Sequence, residues 1–285
     1  MRYTHWTTLA ASLVFINAAC TIDKADEGRG EAYAATPAPA PTLVTVTARD
    51  FAFEAPVTIP AGMTTVRLVN QGKEMHHAQL VRLDEGHTIQ ELLQAAGAHG
   101  PLPEWARFVG GPNVPTPAGY SEATMQLDAG SYALVCLIPS ADGVPHLMKG
   151  MVKPLTVQPA QSEAAAPRAD VEMTLRDYAY DITPEITAGR HTLRVANAAE
   201  QPHEVVMMRL APGKTLQDVL GWLETMAGPP PAMPVTGTSL LSKGAVNHVT
   251  ADFEPGEYVL LCMVPDAGDG KPHVMHGMTR QITVR

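Results

Sequence analysis

The sequence predicts an all-β protein made of two similar β-sandwiches, each interrupted by one helix. Three observations predict this fold. One residue pattern occurs twice, since Arg49 and Asp50 return 127 positions later as Arg176 and Asp177. Short apolar runs and apolar–polar alternations separated by turn residues fill both copies. Apolar residues make up 45% of the chain and charged residues 17%, which is enough apolar material for folded cores.

The first residues read as an export segment. Arg2 precedes a short apolar stretch at 9–16, and two alanines stand before Cys20. This stretch is too short to span a membrane and has the order of a secretory signal over 1–19. The residues before Cys20 resemble a bacterial lipoprotein cleavage box, which would make Cys20 a lipidation site. Asn17 departs from that box, so cleavage without lipidation and soluble secretion stay open.

The next segment, 20–41, is polar and then rich in Ala and Pro, and it reads as an anchor and tether. We therefore expect an exported protein on the periplasmic side of a bacterial cell envelope, held at the membrane through Cys20.

The repeat predicts two domains. Residues 49–70 and 176–197 align without a gap, and the offset of 127 returns at Met151 and Met278. A period of this length indicates a duplicated domain rather than a solenoid. We place the first domain at 42–158, a linker at 159–167 and the second domain at 168–285.

Each copy is predicted to contain short strands and one helix. A capping box at Thr88–Glu91 predicts the first helix, and apolar residues at 216, 219, 220 and 223 predict the second. The Pro/Gly-rich stretches that follow, 110–119 and 228–237, are predicted to be loops. Two antiparallel sheets per domain are expected. The strands predicted in the first copy are 43–48, 64–70, 78–83, 122–127 and 132–138.

Four residue types that bind metals recur in the same order in both copies. A His precedes a strand, and a Cys, a second His and a Met share one later loop with the pattern C…P-H-x-x-M-x-G-M. Thiolate and thioether favour copper, while imidazole suits both of its oxidation states. The candidate ligands are His76, Cys136, His146 and Met151 in the first copy and His203, Cys262, His273 and Met278 in the second. Met148 and Met275 are rival thioethers.

Three segments resemble plastocyanin-like cupredoxins, the blue type 1 copper family. They are E-Q-P-H-E-V-V at 200–206, G-E-Y-V-L-L-C at 256–262 and P-H-x-x-x-G-M at 272–278, with G-S-Y-A-L-V-C and P-H-L-M-K-G-M in the first copy. The resemblance implies Greek-key sandwiches with one type 1 copper each, and hence two coppers per chain. It also implies equatorial His and Cys ligands with an axial Met. The two Cys–His loops, with nine and ten intervening residues, are longer than those of plastocyanin.

The predicted function is one-electron transfer between redox partner proteins. Electrons are expected to pass through an exposed second histidine, beside an apolar rim of Val144, Pro145, Leu147 and Met148 in the first copy. The second loop is more polar, so the two sites are expected to meet different partners or to differ in potential. The net charge of −9 argues against nucleic acid as a partner.

We do not expect an enzyme, because no H-x-H pair supplies ligands for a second copper beside the cysteines. Copper trafficking, storage or tolerance is the main alternative, and a two-domain copper oxidoreductase is a further one.

Overall fold

The computed structural model describes residues 39–97, 103–115, 119–225 and 227–285. The predicted signal segment and Cys20 lie outside these residues. Within them, no helix has the length and apolar character needed to cross a membrane. Residues 38–285 form one compact unit that contains both repeats. The domain boundaries predicted from the sequence stay a prediction.

The first repeat consists of short strands and one helix, as expected. In its first strand, the buried side chains Val44, Val46 and Ala48 alternate with more exposed ones, the period of a half-buried strand. Its elements are β1 (Thr42–Arg49), β2 (Ala52–Glu54), β3 (Thr58–Pro60), β4 (Gly62–Asn70), β5 (Gln79–Leu83), α1 (Ile89–Gly97), β6 (Ala106–Gly110), β7 (Tyr120–Leu127), β8 (Gly130–Val135) and β9 (Val152–Gln158).

The second repeat follows the same order without a counterpart of β3 among its described residues. Its elements are β10 (Val171–Arg176), β11 (Ala179–Thr183), β12 (Gly189–Asn197), β13 (His203–Leu210), α2 (Leu216–Thr225), β14 (Ala232–Leu241), β15 (Val246–Phe253), β16 (Gly256–Leu261) and β17 (Thr279–Val284). The loop predicted at 228–237 is therefore wrong in its second half, which is strand β14.

Both helices begin with reciprocal caps. The Thr88 hydroxyl accepts the Glu91 N–H at 3.2 Å, and the Glu91 carboxylate accepts the Thr88 N–H at 2.8 Å. Thr215 and Asp218 make the same pair of contacts at the start of α2. These contacts satisfy N–H groups that the first helical turn leaves without partners. Both predicted helices are confirmed.

The expectation of purely antiparallel sheets was wrong. Strands β1 and β4, β10 and β12, and β3 and β9 pair in parallel. In the first repeat the chain leaves β1 through the short strand β2 and crosses to β3, which lies in the other sheet. It then returns as β4 beside β1, running in the same direction.

Each sheet continues through both repeats, which the sequence does not predict. The eight-stranded sheet joins β7 to β15 at Thr124 and His248, and the nine-stranded sheet joins β6 to β14 at Val109 and Leu241. Each junction pairs a strand with its own counterpart, antiparallel, so the repeats meet about an approximate twofold axis. Edge pairing of this kind leaves no periodic signal in a sequence.

Candidate metal centres

Three segments of each repeat converge at one end of its sandwich. In the first repeat, His76 precedes β5, Cys136 directly follows β8, and His146 begins a one-turn 3-10 helix, His146–Lys149. Backbone hydrogen bonds tie the last two together, because Leu147 N donates to Cys136 O at 2.7 Å and Met151 N donates to His146 O at 2.9 Å. These two hydrogen bonds therefore hold the ends of the ligand loop together at the positions of the candidate ligands.

The additional loop residues project away from this closed part. A backbone bridge between Pro139 and Pro145 pinches the first loop, and Pro265 and Pro272 form the same bridge in the second. The turn-forming residues between each pair of prolines lie beyond the bridge. The histidine after the second proline therefore keeps its place in spite of the longer loop.

The candidate His and Cys side chains meet in two compact groups. In the first, His76 Nδ1 and His146 Nδ1 lie 3.0 Å apart, and Cys136 Sγ lies 3.4 Å from His146 Nδ1. In the second, Cys262 Sγ lies 3.8 Å from the Nδ1 of His203 and 3.4 Å from that of His273. All potential ligand atoms of each group lie within 4.8 Å of one another, and all six side chains are fully buried.

Burial separates the rival methionines. Met151 and Met278 have no exposed surface, and their backbones bond to the candidate cysteine and histidine of the same loop. Met148 and Met275 are 47% and 62% exposed. The position of the side chains therefore favours Met151 and Met278 as thioether ligands, and the assignment stays a prediction.

The groups have the chemistry of a closed soft-metal site. Burial raises the pKa of the Cys136 thiol to about 12, raises that of Cys262 further, and lowers the pKa of His273 to about 4. Burial also lowers the pKa values of His76 and His203. Imidazoles held neutral are ready to ligate, and a bound cation would favour the thiolate. Two imidazoles, a thiolate and an adjacent buried thioether fit a copper ion.

A carboxylate orients the first histidine of each group. His76 Nε2 lies 3.1 Å from Asp50 Oδ1, and His203 Nε2 lies 2.9 Å from Asp177 Oδ1. A backbone hydrogen bond from Glu74 is the main cause of the lowered pKa of Asp50. An Nε2–H donor leaves Nδ1 free to bind a metal, which fixes the tautomer that the site needs. The sequence signal was present, because this Asp recurs in both copies.

The second histidine is covered. The expectation that electrons pass through an exposed second histidine was therefore wrong about its exposure. His146 Nε2 lies 3.0 Å from Glu74 Oε2, and the ring of Phe51 packs edge-on against His146 at 5.2 Å. The second repeat has Gln201 and Tyr178 in these places. These partners were missed because they lie some 70 residues or more from the histidine in sequence.

The predicted apolar rim is present in part. Val144 and Met148 are exposed, whereas Leu147 is buried beneath the loop. The exposed surface beside the first site therefore comes from the loop, while the imidazole itself lies behind it.

A further pair of residues at equivalent positions differs in type between the repeats. His77 Nε2 accepts the N–H of Leu137 at 2.8 Å, and Glu204 Oε1 accepts that of Met263 at 3.1 Å. Both therefore hold the residue that follows the candidate cysteine. A third cluster of side chains that could bind a metal ion lies on the second ligand loop and is partly exposed. It consists of Asp266, Asp269 and His276.

No protein-family model matches the sequence, and neither does any curated protein. Solved structures do match. A dithionite-reduced auracyanin from Roseiflexus castenholzii is 25% identical, with a TM-score of 0.28, over 40% of this chain and 94% of its own. A blue copper oxidase from Nitrosomonas europaea is 16% identical, with a TM-score of 0.26, over 86% of both chains. A copper-containing nitrite reductase from Thermus scotoductus is 11% identical, with a TM-score of 0.23, over 85% of this chain and 61% of its own.

The two sheets and the many short strands agree with the all-β fold class predicted from the sequence. At these TM-scores the matches do not transfer an activity to this chain.

The expectation that the chain is no enzyme is corrected by these matches. An oxidase and a nitrite reductase match over most of the chain, whereas the auracyanin covers less than half.

Proposed function

We propose that each repeat binds one copper ion and that the chain transfers single electrons. The observation that carries the proposal is the pair of buried His–Cys–His groups, each with a buried methionine on the same loop. Copper held by such ligands would supply a one-electron couple between Cu(I) and Cu(II).

The protein residues bind, orient and shield. Asp50 and Asp177 hold the first histidine of each site with Nδ1 turned inward. Phe51 and Tyr178 pack against the second histidine, and the full burial of the ligands excludes bulk water. A fixed, dry ligand set reduces rearrangement when the charge of the site changes by one.

We further propose that the protein acts in the bacterial cell envelope with redox partner proteins, anchored through lipid at Cys20. The support for export and lipidation is the sequence pattern before Cys20. Val144 and Met148, exposed beside the first site, form a small apolar surface for brief docking.

Copper loading tests the proposal. The chain from residue 21 is expressed, loaded with Cu(II) and examined by visible spectroscopy and copper analysis. We expect two coppers per chain and an intense thiolate-to-copper band. Cys136→Ser and Cys262→Ser should each remove about half of the band, because each substitution removes the thiolate of one site and leaves the other site intact.

The same preparation separates the other candidate functions. A colourless protein that binds only Cu(I) would contradict electron transfer and favour copper trafficking or storage. Turnover of nitrite or of phenols with oxygen would identify an enzyme, and it is assayed because a nitrite reductase and an oxidase are among the matched structures.

A further inference from the structure

The two sites share most of their surroundings. In each, an Asp contacts Nε2 of the first histidine, at 3.1 Å for Asp50 and 2.9 Å for Asp177. In each, an aromatic ring packs edge-on against the second histidine, and the residues that carry these rings, Phe51 and Tyr178, have the same backbone conformation, with φ of 64° and 63°. The sites differ at other contacts, and one of these is the residue that holds the position after each cysteine, His77 in the first site and Glu204 in the second.

Another difference lies at Nε2 of the second histidine. Glu74 and Gln201 occupy the same place in their repeats, two residues before the first histidine. Glu74 Oε2 lies 3.0 Å from His146 Nε2, whereas Gln201 Oε1 lies 3.4 Å from His273 Nε2. The first site thus has a carboxylate acceptor at hydrogen-bond distance, and the second has a neutral amide at a longer one.

The amide of Gln201 is already engaged by other groups. Its oxygen accepts the N–H of Ala267 at 2.8 Å, and its nitrogen lies 3.0 Å from Asp266 Oδ2 and 3.3 Å from the Tyr178 hydroxyl. Asp266 itself stays 3.7 Å from His273 Nε2, beyond hydrogen-bond distance. Gln201 is therefore held in place as a weak acceptor.

Glu74 is held in place by its backbone. Its N–H donates to Asp50 Oδ1 at 3.1 Å, and its carbonyl accepts from Asn70 Nδ2 at 2.8 Å. The nearby cation Lys149 bonds to Asp142 at 2.8 Å. The Glu74 carboxylate therefore faces His146 Nε2, at 3.0 Å.

A carboxylate at this position changes the electronic character of the ligand. An imidazole that binds a metal through Nδ1 carries its proton on Nε2, and a carboxylate acceptor raises the basicity of the ring. Charge-assisted hydrogen bonds are about twice as strong as neutral ones. The stronger donation from the ring stabilises the more positive oxidation state. Asp266 also places a carboxylate 3.7 Å from His273 Nε2, so the sites differ in the hydrogen bond and not in the presence of a nearby charge.

We propose that Glu74 lowers the reduction potential of the first site, and that its exchange for Gln201 in the second repeat contributes to a difference in potential between the two sites. Glu74 is a positioning and tuning residue, since it acts through His146. This inference rests on the proposed copper binding.

Reciprocal substitutions test it, each in a background with one site. Glu74→Gln is made in Cys262→Ser protein. Gln201→Glu is made in Cys136→Ser, Asp266→Asn protein and compared with that parent, because the Gln201 nitrogen lies 3.0 Å from Asp266 Oδ2 and two carboxylates there would repel each other. Redox titration of the thiolate-to-copper band gives each potential. Glu74→Gln should raise the potential of the first site by about 59 mV, a tenfold change in the ratio of Cu(II) to Cu(I) affinities. Gln201→Glu should lower the potential of the second site by a similar amount.

Asp142→Asn in Cys262→Ser protein is the matched control. It removes a carboxylate of the same ligand loop that contacts Lys149 and is not in contact with a candidate ligand. The ratio of Cu(II) to Cu(I) affinities of the first site should change less than twofold. A change as large as that of Glu74→Gln would overturn the proposal, because the effect would then be one of general charge.

A second readout is the ¹⁵N chemical shift of His146 Nε2 in the Cu(I)-loaded protein. It should move in Glu74→Gln, because the acceptor of that N–H changes, and it should not move in Asp142→Asn. A band with an unchanged potential in both Glu74→Gln and Gln201→Glu overturns this inference alone. Absence of a band in both single-site parents overturns the proposed copper site instead. If Glu74→Gln does not fold, Gln201→Glu decides.

Discussion

At the scale of single residues, burial distinguishes the two methionines of each ligand loop. Met151, which follows the 3-10 helix His146–Lys149, is fully buried and its backbone bonds to His146, while Met148 lies on that helix and is 47% exposed. A thioether that ligates has to lie on the inner side of the loop. The loop therefore offers a buried and an exposed thioether within four positions of the chain, and their effects can be compared.

Met151→Leu should remove the thioether with little structural cost. This volume-conserving change costs less than about 1.5 kcal/mol of metal-free stability. We expect the first site to keep its copper and thiolate band while its reduction potential rises, because the axial ligand tunes the potential. Redox titration in Cys262→Ser protein measures the shift. Met148→Leu is the control, and a larger shift there would reverse the assignment of the two methionines.

The candidate ligands could be chosen from the sequence, whereas the groups around them could not. His76, Cys136 and His146 recur as types with fixed order, which two copies of one pattern make visible. Glu74 and Gln201 differ in type, so a comparison that looks for the same residue in both copies does not find them. Their role depends on a contact across about 70 residues, and such a contact carries no spacing signal.

At the scale of secondary-structure elements, two glycines let strands approach closely. A Cβ on Gly111, just after β6, would lie 2.0 Å from the carbonyl oxygen of Ala78, and one on Gly237 in β14 would lie 2.1 Å from that of Val205. Both oxygens belong to the chain directly after a first candidate histidine. These glycines therefore allow β6 and β14 to pack against the segments that hold the metal centres.

Gly237→Ala should destabilise the protein by at least about 3 kcal/mol. Its φ of +154° is strained for alanine, at a cost of about 1–3 kcal/mol, and the overlap with the Val205 carbonyl adds to that. Chemical denaturation of the metal-free protein measures the loss. Gly244→Ala is the control, since its φ of +80° is also positive but its Cβ meets nothing within 4 Å. Equal losses in both variants would contradict the close-approach argument.

Strand β14 shows where element prediction fails. The stretch contains Pro234 and Gly237, and prolines are confined to edges and bulges of sheets. Here Pro234 pairs with Met208 at a register shift, so the missing N–H is tolerated. The following residues, 236–241, are all buried, because β14 lies at the junction and has lost the polar alternation of a half-exposed strand. Strands with that alternation, such as β1, were predicted well.

At the scale of the whole molecule, a buried asparagine bonds the two repeats to each other. Asn247 Nδ2 donates to Val109 O at 2.9 Å, and Asn247 Oδ1 accepts from Gly111 N at 2.9 Å and from the Thr238 hydroxyl at 2.6 Å. Each bond crosses or supports the junction of β6 with β14. The repeats are therefore expected to unfold together.

Asn247→Ala should lower the free energy of unfolding by about 3 kcal/mol, because it leaves buried polar groups without partners. Differential scanning calorimetry of the metal-free protein should give one transition in the parent and a lower midpoint in the variant. Gln126→Ala, on the exposed face of β7, is the control and should stay within about 0.5 kcal/mol. Two separate transitions in the parent would contradict cooperative unfolding of the repeats.

The junction has a consequence for the origin of the chain. Strands β6 and β7 each meet their own counterparts, with Pro112 opposite Thr238 near the axis, which is the isologous geometry of a homodimer. A dimer of identical subunits has to carry every substitution twice. Fusion of the two copies into one polypeptide removes that constraint, so that one copy has Glu74 while the other has Gln201. The tandem arrangement thus turns a symmetric assembly into one in which each half evolves alone.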